Sequence, residues 1–173
     1  MRRTMWTLAV LSGLGLAVFA AMRGASALSI TLGTVFYHFA MRLAVGYAML
    51  AVPLRFDARA GWFAERKWER RLYARLNVRK WKHVMPSYNP EDFDLETHTP
   101  EEIVQTMCVS ELVHEIIIVL SFVPVTFAIP FGELAVFVIT SVAAAVFDSV
   151  FVIMQRFNRP RVLRLIGRMR AKR

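Results

Sequence analysis

The chain has 173 residues, 56% of them hydrophobic, with a formal net charge of +9; its mean hydropathy is +0.42 and its isoelectric point is near 10.6. That combination excludes an ordinary soluble domain, which has no need of several apolar runs of bilayer length, and makes nucleic acid the weaker reading of the basic excess. The lone cysteine, Cys108, excludes an intrachain disulfide framework and a thiolate metal cage.

The first apolar run, Met1 to Met22, follows Arg2 and Arg3. Ala25-Ser26-Ala27 has the form of a signal-peptidase site, but the apolar core from Met5 to Ala21 is longer than a usual signal core, so a retained helix is expected over about residues 4–22. The second run, Ala27 to Val52, is long enough to span and carries His38 and Arg42 near its middle, four residues apart and so on one face. Ionisable groups at that depth are costly and turn toward protein. Arg42 therefore reads either as a clamp on a carboxylate, phosphate or sugar-lipid head group or as half of a structural pair, and His38 as structural.

Residues 53–102 form a polar connection. Within it, a 100° wheel over Gly61 to Leu76 sets Trp62, Trp68, Leu72, Tyr73 and Leu76 on one side and Arg66, Lys67, Arg70, Arg71 and Arg75 on the other, the pattern of a helix lying in the membrane interface. Glu65 and Glu69 fall on the apolar side, so they need partners, and arginines of the same helix are the nearest. Next come Arg79, Lys80, Trp81, Lys82 and His83, cations around an indole that suit head-group depth.

Thr99, Pro100 and Glu102 make a helix start, with Thr99 as N-cap, Pro100 at the first helical position and Glu102 closing a capping box. The helix they open is expected to leave water and cross the bilayer over about residues 107–129, stopping at Pro130. Glu111, His114 and Glu115 lie near its entry. Glu111 and His114 are three residues apart, hence on one face, where a carboxylate can orient an imidazole. After a turn at Pro130-Phe131-Gly132, a last span is expected over 134–154, interrupted by Asp148 and ending or kinking near Arg159 because Pro160 lacks an N–H. A basic tail, 156–173, completes the chain.

Basic residues crowd the N-terminus, the central connection and the tail. Four membrane helices in one domain, with both termini cytoplasmic, satisfy that asymmetry; cleavage after Ala27 would leave three helices in the same orientation. The fold class is thus an all-α integral membrane protein with an amphipathic interfacial helix. Counted by helical rise from the cytoplasmic ends, Arg42 lies about 15 Å deep, Asp148 about 10 Å, and His114 roughly 5 to 10 Å. Such a layer beneath a basic interfacial segment suits a reaction between a water-borne or lipid donor and a lipid acceptor.

Three ordered motifs sharpen this: Val78-Arg79-Lys80-Trp81-Lys82-His83, then Glu111-x-x-His114, then Gln155-Arg156-Phe157-Asn158-Arg159-Pro160-Arg161. From about Trp68 to Leu165 the chain resembles the glycosyl-diaponeurosporenoate acyltransferase family of bacterial carotenoid synthesis. The resemblance implies transfer of a fatty acyl chain onto a hydroxyl of a glycosylated lipid in the bacterial cytoplasmic membrane, with acyl-CoA or acyl carrier protein as donor, a phospholipid as a further option, and no cofactor. It carries over Glu111 and His114 as catalytic positions and Lys80, Trp81, Lys82, Arg156, Asn158, Arg159 and Arg161 as substrate or donor positions, to which depth adds Arg42 and Asp148. The family's Arg-Ala pair before Glu-x-x-His is Val109-Ser110 here, its final-motif tyrosine is Phe157, and Asp148 stands where the family has an amide-like residue. The acceptor is accordingly a carotenoid glycoside or another glycolipid.

In this chemistry His114 is the general base toward the acceptor hydroxyl, Glu111 orients it, and Arg or Lys groups stabilise the carbonyl oxyanion or hold donor phosphates. Two other readings stand beside it. Glu111, His114 and Glu115 with Asp148 or His83 are candidate metal ligands, Glu-x-x-His being half of a dimetal carboxylate pattern. Alternatively, the polar layer only locks the helices of a non-catalytic lipid-binding subunit.

Overall fold

The structure is a computed structural model that describes residues 2–23, 27–81 and 90–172. Ala25 and Ser26 of the cleavage-like triplet lie outside the described residues, as do Lys82, His83 and the loop as far as Asn89. Among the described residues the fold is all-helical with no strand: α1 Arg2–Arg23, α2 Ala27–Ala51, α3 Lys67–Arg75, α4 Val78–Trp81, α5 Pro100–Leu120, α6 Ala128–Phe131 and α7 Leu134–Ala171. Three stretches are long and apolar enough to cross a membrane, Ala27–Ala51, Pro100–Phe131 and Leu134–Ala171; the apolar run of α1, Thr4–Val18, is shorter. Val119, Ile129, Ile139 and Val146 on these stretches are 60–87% exposed, a surface that suits lipid and not water.

The chain forms two compact units. The first comprises Met1–Val52 and Ile116–Asp148. In it α1 and α2 pack antiparallel, close enough that a Cβ on Gly13 would stand 3.1 Å from the Phe36 ring, and Trp6 Nε1 donates to Tyr47 Oη at 3.2 Å. Arg42 and Asp148 form an ion pair whose side chains are 12% and 2% exposed. Arg42 Nη1 also donates to the carbonyl of His38 at 2.9 Å, one turn back.

The helix that begins at Thr99 ends earlier than its hydropathy indicates. Its start is as the sequence reads: Thr99 N donates to Glu102 Oε2 at 2.8 Å and Glu102 N donates to Thr99 Oγ1 at 3.3 Å. It stops at Leu120, and residues Val123–Phe127 form a 3-10 turn before α6. The cause is Pro124, which has no N–H to donate to the Leu120 carbonyl four residues back. The phenol of Tyr37 supplies that bond at 2.9 Å. The reversal into α7 falls at Gly132 and Glu133, whose φ angles of 73° and 55° are both left-handed, one residue later than the Pro130-Phe131-Gly132 turn.

The second unit comprises Pro53–Glu115 and Ser149–Arg173. Here two expectations are corrected. Pro160 does not end α7, which continues to Ala171. The residues beyond it are held by packing: Ile166 is buried with Ala58, Phe63, Val104 and Cys108, and Val162 and Leu163 pack against that cluster. The interfacial helix, expected from Gly61, is confined to α3, and residues 61–66 are turn and extended chain. An α-helix through 61–66 would use the carbonyls of Trp62, Phe63 and Ala64 for its own bonds. All three instead accept hydrogen bonds from arginines of α7.

Candidate functional site

Residues Gln155 to Arg161 occupy two turns of α7 in the second unit, and their alternation of buried and half-buried positions sorts their side chains. Arg156 reaches back to the turn before α3. Its Nε and Nη2 donate to Glu69 Oε1 at 3.0 and 2.7 Å, Nη1 to Glu111 Oε1 at 2.6 Å and to the Trp62 carbonyl at 2.8 Å, and Nη2 to the Ala64 carbonyl at 3.1 Å. These five bonds use the five N–H donors of a guanidinium. Arg159, only 1% exposed, is ion-paired with Glu111 Oε2, donates Nη1 to the Phe63 carbonyl at 2.9 Å, and lies 5.0 Å over the Phe63 ring.

Glu111 and Glu69 are therefore the anions of a buried, charge-balanced cluster of two carboxylates and two guanidiniums. Glu111 is 0% exposed and Glu69 4%. Glu69 Oε2 accepts from the Tyr73 hydroxyl at 3.1 Å and from the Arg66 amide at 3.2 Å, so the same carboxylate caps α3 and anchors it to α7. The expectation that Glu69 pairs within its own helix is corrected: its guanidinium partner is 87 residues away. Glu65 does find a local partner, Arg70, at 2.9 Å. Burial and the adjacent Glu69 carboxylate push the Tyr73 phenol well above its usual range.

His114 lies half-buried on α5 with its ring stacked on Phe151 of α7, centroids 4.5 Å apart and planes within 7°. Glu115, next in the chain, accepts from the indole of Trp62 at 2.9 Å. Trp81 donates its indole N–H to the Leu76 carbonyl at 2.8 Å and packs with Ile153 against Tyr73, Val78 and Phe157. Tyr73 meets Phe157 edge-on at 5.6 Å, and Arg161 lies over the Phe157 ring, 3.6 Å from its centroid. Lys80 is exposed and Asn158 half-buried. The three sequence motifs thus converge within the second unit, apart from Lys82 and His83, which are outside the described residues. Arg42 and Asp148 belong to the first unit, where they neutralise one another. Sequence reasoning missed Phe151, Tyr73 and the carbonyls of residues 62–64. The motifs had named Glu111, Arg156 and Arg159, and the charge of Glu69 on an apolar helix face was the signal that this fourth member needed a partner.

Among the described residues no three His, Cys, Asp or Glu side chains come together as metal ligands. Glu111 holds two arginines and Glu115 holds Trp62, so neither carboxylate is presented as an open ligand.

The fold and site thus define an all-helical membrane protein with a polar, arginine-rich cluster in one of its two units. A family model, that of glycosyl-4,4'-diaponeurosporenoate acyltransferase, matches residues 59–168. That is well over half of the chain, and the protein belongs to this family. No curated protein and no solved structure matches it.

Proposed function

We propose that the protein is a membrane-embedded acyltransferase that moves a fatty acyl chain onto a hydroxyl of a glycosylated lipid, a carotenoid glycoside or another glycolipid, in the bacterial cytoplasmic membrane. The observation that carries this reading is the convergence of the family's motifs on one unit, with His114 at its half-buried edge. In the proposed arrangement α1 is a fourth span, both termini are cytoplasmic, and the second unit works at the inner leaflet, where the basic excess of residues 53–102 and of the tail meets anionic lipid.

His114 acts as the general base. It takes the proton of the acceptor hydroxyl as the oxygen attacks the donor carbonyl; the tetrahedral oxyanion collapses, the ester bond forms, and the thiolate leaves with the proton that His114 held. With a phospholipid donor the leaving group is an alcohol and the proton path is the same. Stacking on Phe151 fixes the plane of the imidazole, which limits the directions its two nitrogens can face. Glu111 contributes as the buried anion that holds Arg156 and Arg159, and these in turn fix the turn at 62–64. Lys80, Trp81, Lys82 and Arg161 are left to receive the donor, with Asn158 beside them in sequence.

The test is turnover. Purified protein in lipid is given a mixed pool of labelled acyl-CoA, acyl carrier protein and phospholipid donors with a membrane-lipid extract, and new ester lipids are followed by mass spectrometry. An acylated glycolipid that disappears in folded His114→Ala supports the reading and identifies the acceptor. A product formed equally by that variant sinks the role of His114, and no product from any donor sinks the acyltransferase reading.

A further inference from the structure

The final motif divides its arginines between two environments. Arg156 and Arg159 point into the protein and are neutralised there by Glu69 and Glu111. Arg161 is not. Its guanidinium lies over Phe157, Cζ 3.6 Å from the ring centroid, and donates to the Phe157 carbonyl; among the described residues it makes no other hydrogen bond. A stacked guanidinium is already ordered, and its remaining N–H groups project from its edge in the fork that matches a phosphate.

Two more cations are brought to this place by the fold. Arg164 follows Arg161 by three residues on α7, so the two share a face and both are exposed. Arg79 arrives on α4, because its neighbours Val78 and Trp81 pack in the same cluster as Phe157. Both are near enough that their charges oppose that of Arg161, and the carboxylate that acts on Arg161, Glu65, is already bound to Arg70. Like charges set together on a folded surface cost free energy unless an anion joins them.

We propose that Arg79, Arg161 and Arg164 form a phosphate-binding site that receives the phosphate of the acyl donor, from either the nucleotide of a coenzyme thioester or the head group of a donor phospholipid. The proposal rests on the acyltransferase reading and adds to it the chemistry of the donor. Arg161 and Arg164 are exposed, whereas Phe157, on which Arg161 lies, is buried and meets Tyr73 edge-on.

The experiment is a binding measurement on the full chain in nanodiscs. Coenzyme A is titrated into protein in phosphatidylcholine discs, and retention of phosphatidylglycerol from mixed discs is read by native mass spectrometry. Arg161→Gln and Arg164→Gln, checked for fold by circular dichroism, are each expected to weaken the phosphate ligand about tenfold, one charge-assisted contact. Glu65→Gln is expected to tighten it, a sign that general damage to the fold does not produce. Coenzyme A affinity that responds this way supports the site with a soluble donor; phosphatidylglycerol retention that responds this way, without coenzyme A binding, supports it with a lipid donor. Equal behaviour of wild type and variants toward both probes, or binding of neither, overturns it. Ester formation assayed on the same samples keeps the two claims apart: product with unaltered affinities overturns the site alone, and responsive phosphate binding without product overturns the acyl-transfer reading alone.

Discussion

Glu111 is the most constrained residue of the candidate site, since it is fully buried and each of its oxygens holds a different arginine. Replacing it by glutamine leaves the buried Arg159 facing a neutral group and Arg156 with Glu69 as its carboxylate, and the expected loss is about 3–5 kcal/mol, read as a fall in unfolding midpoint in detergent. The Tyr73 phenol gives a test by pH. Its ionisation is pushed above the usual value, so the folded state keeps the proton where the unfolded chain loses it, and stability falls as pH rises above about 10. Tyr73→Phe is expected to remove that component of the fall while costing about 1 kcal/mol at neutral pH for the lost bond to Glu69; stability curves of the two proteins that run parallel through alkaline pH would contradict it. At this scale the sequence was half legible. A carboxylate on the apolar face of an amphipathic stretch shows that a partner is required, but a partner 87 residues on is chosen by tertiary packing, which no local pattern encodes.

The start of α5 was more legible than its end. Thr99, Pro100 and Glu102 announce α5 by chemistry that operates within four residues, and the structure has that capping box. The ends depend on what the freed backbone groups meet. Pro124 lies in a run that hydropathy treats as uniform, yet it interrupts the helix because what it lacks is an N–H, not apolar surface. The Leu120 carbonyl it leaves open is closed by Tyr37, which predicts a dependence between two distant positions. Tyr37→Phe alone is expected to cost about 1–3 kcal/mol, the penalty of a buried carbonyl without its donor, and much less in a Pro124→Ala background where the helix can supply its own N–H. Additive losses in that double-mutant cycle would show that the phenol is not the partner that matters. Pro160 carries the converse lesson: apolar packing of Val162, Leu163 and Ile166 outweighs a missing hydrogen bond, so α7 continues.

For the whole molecule, the apolar runs of the sequence were legible, and three of the four expected spans are helices long and apolar enough to cross a membrane. The division into two units was not readable, since each is assembled from two separate segments. The Arg42–Asp148 pair of the first unit is expected to behave as intramembrane pairs do: Arg42→Leu or Asp148→Leu alone is strongly destabilising, about 3–5 kcal/mol, whereas the double change recovers most of the loss. A double variant no better than the singles would assign these groups to ligand binding instead. The proposed topology, with both termini cytoplasmic, predicts that a cysteine placed at Lys172 in a Cys108→Ser chain is labelled by an impermeant maleimide only after the membrane is opened. The charge-balanced cluster also fixes an order of events during synthesis. Glu69 and Glu111 are made long before Arg156 and Arg159, so until nearly the whole chain has emerged these two carboxylates, one on α3 and one on α5, lack the guanidiniums that hold them in the folded protein. A chain that terminates anywhere short of Arg156 therefore exposes its own incompleteness to cellular quality control.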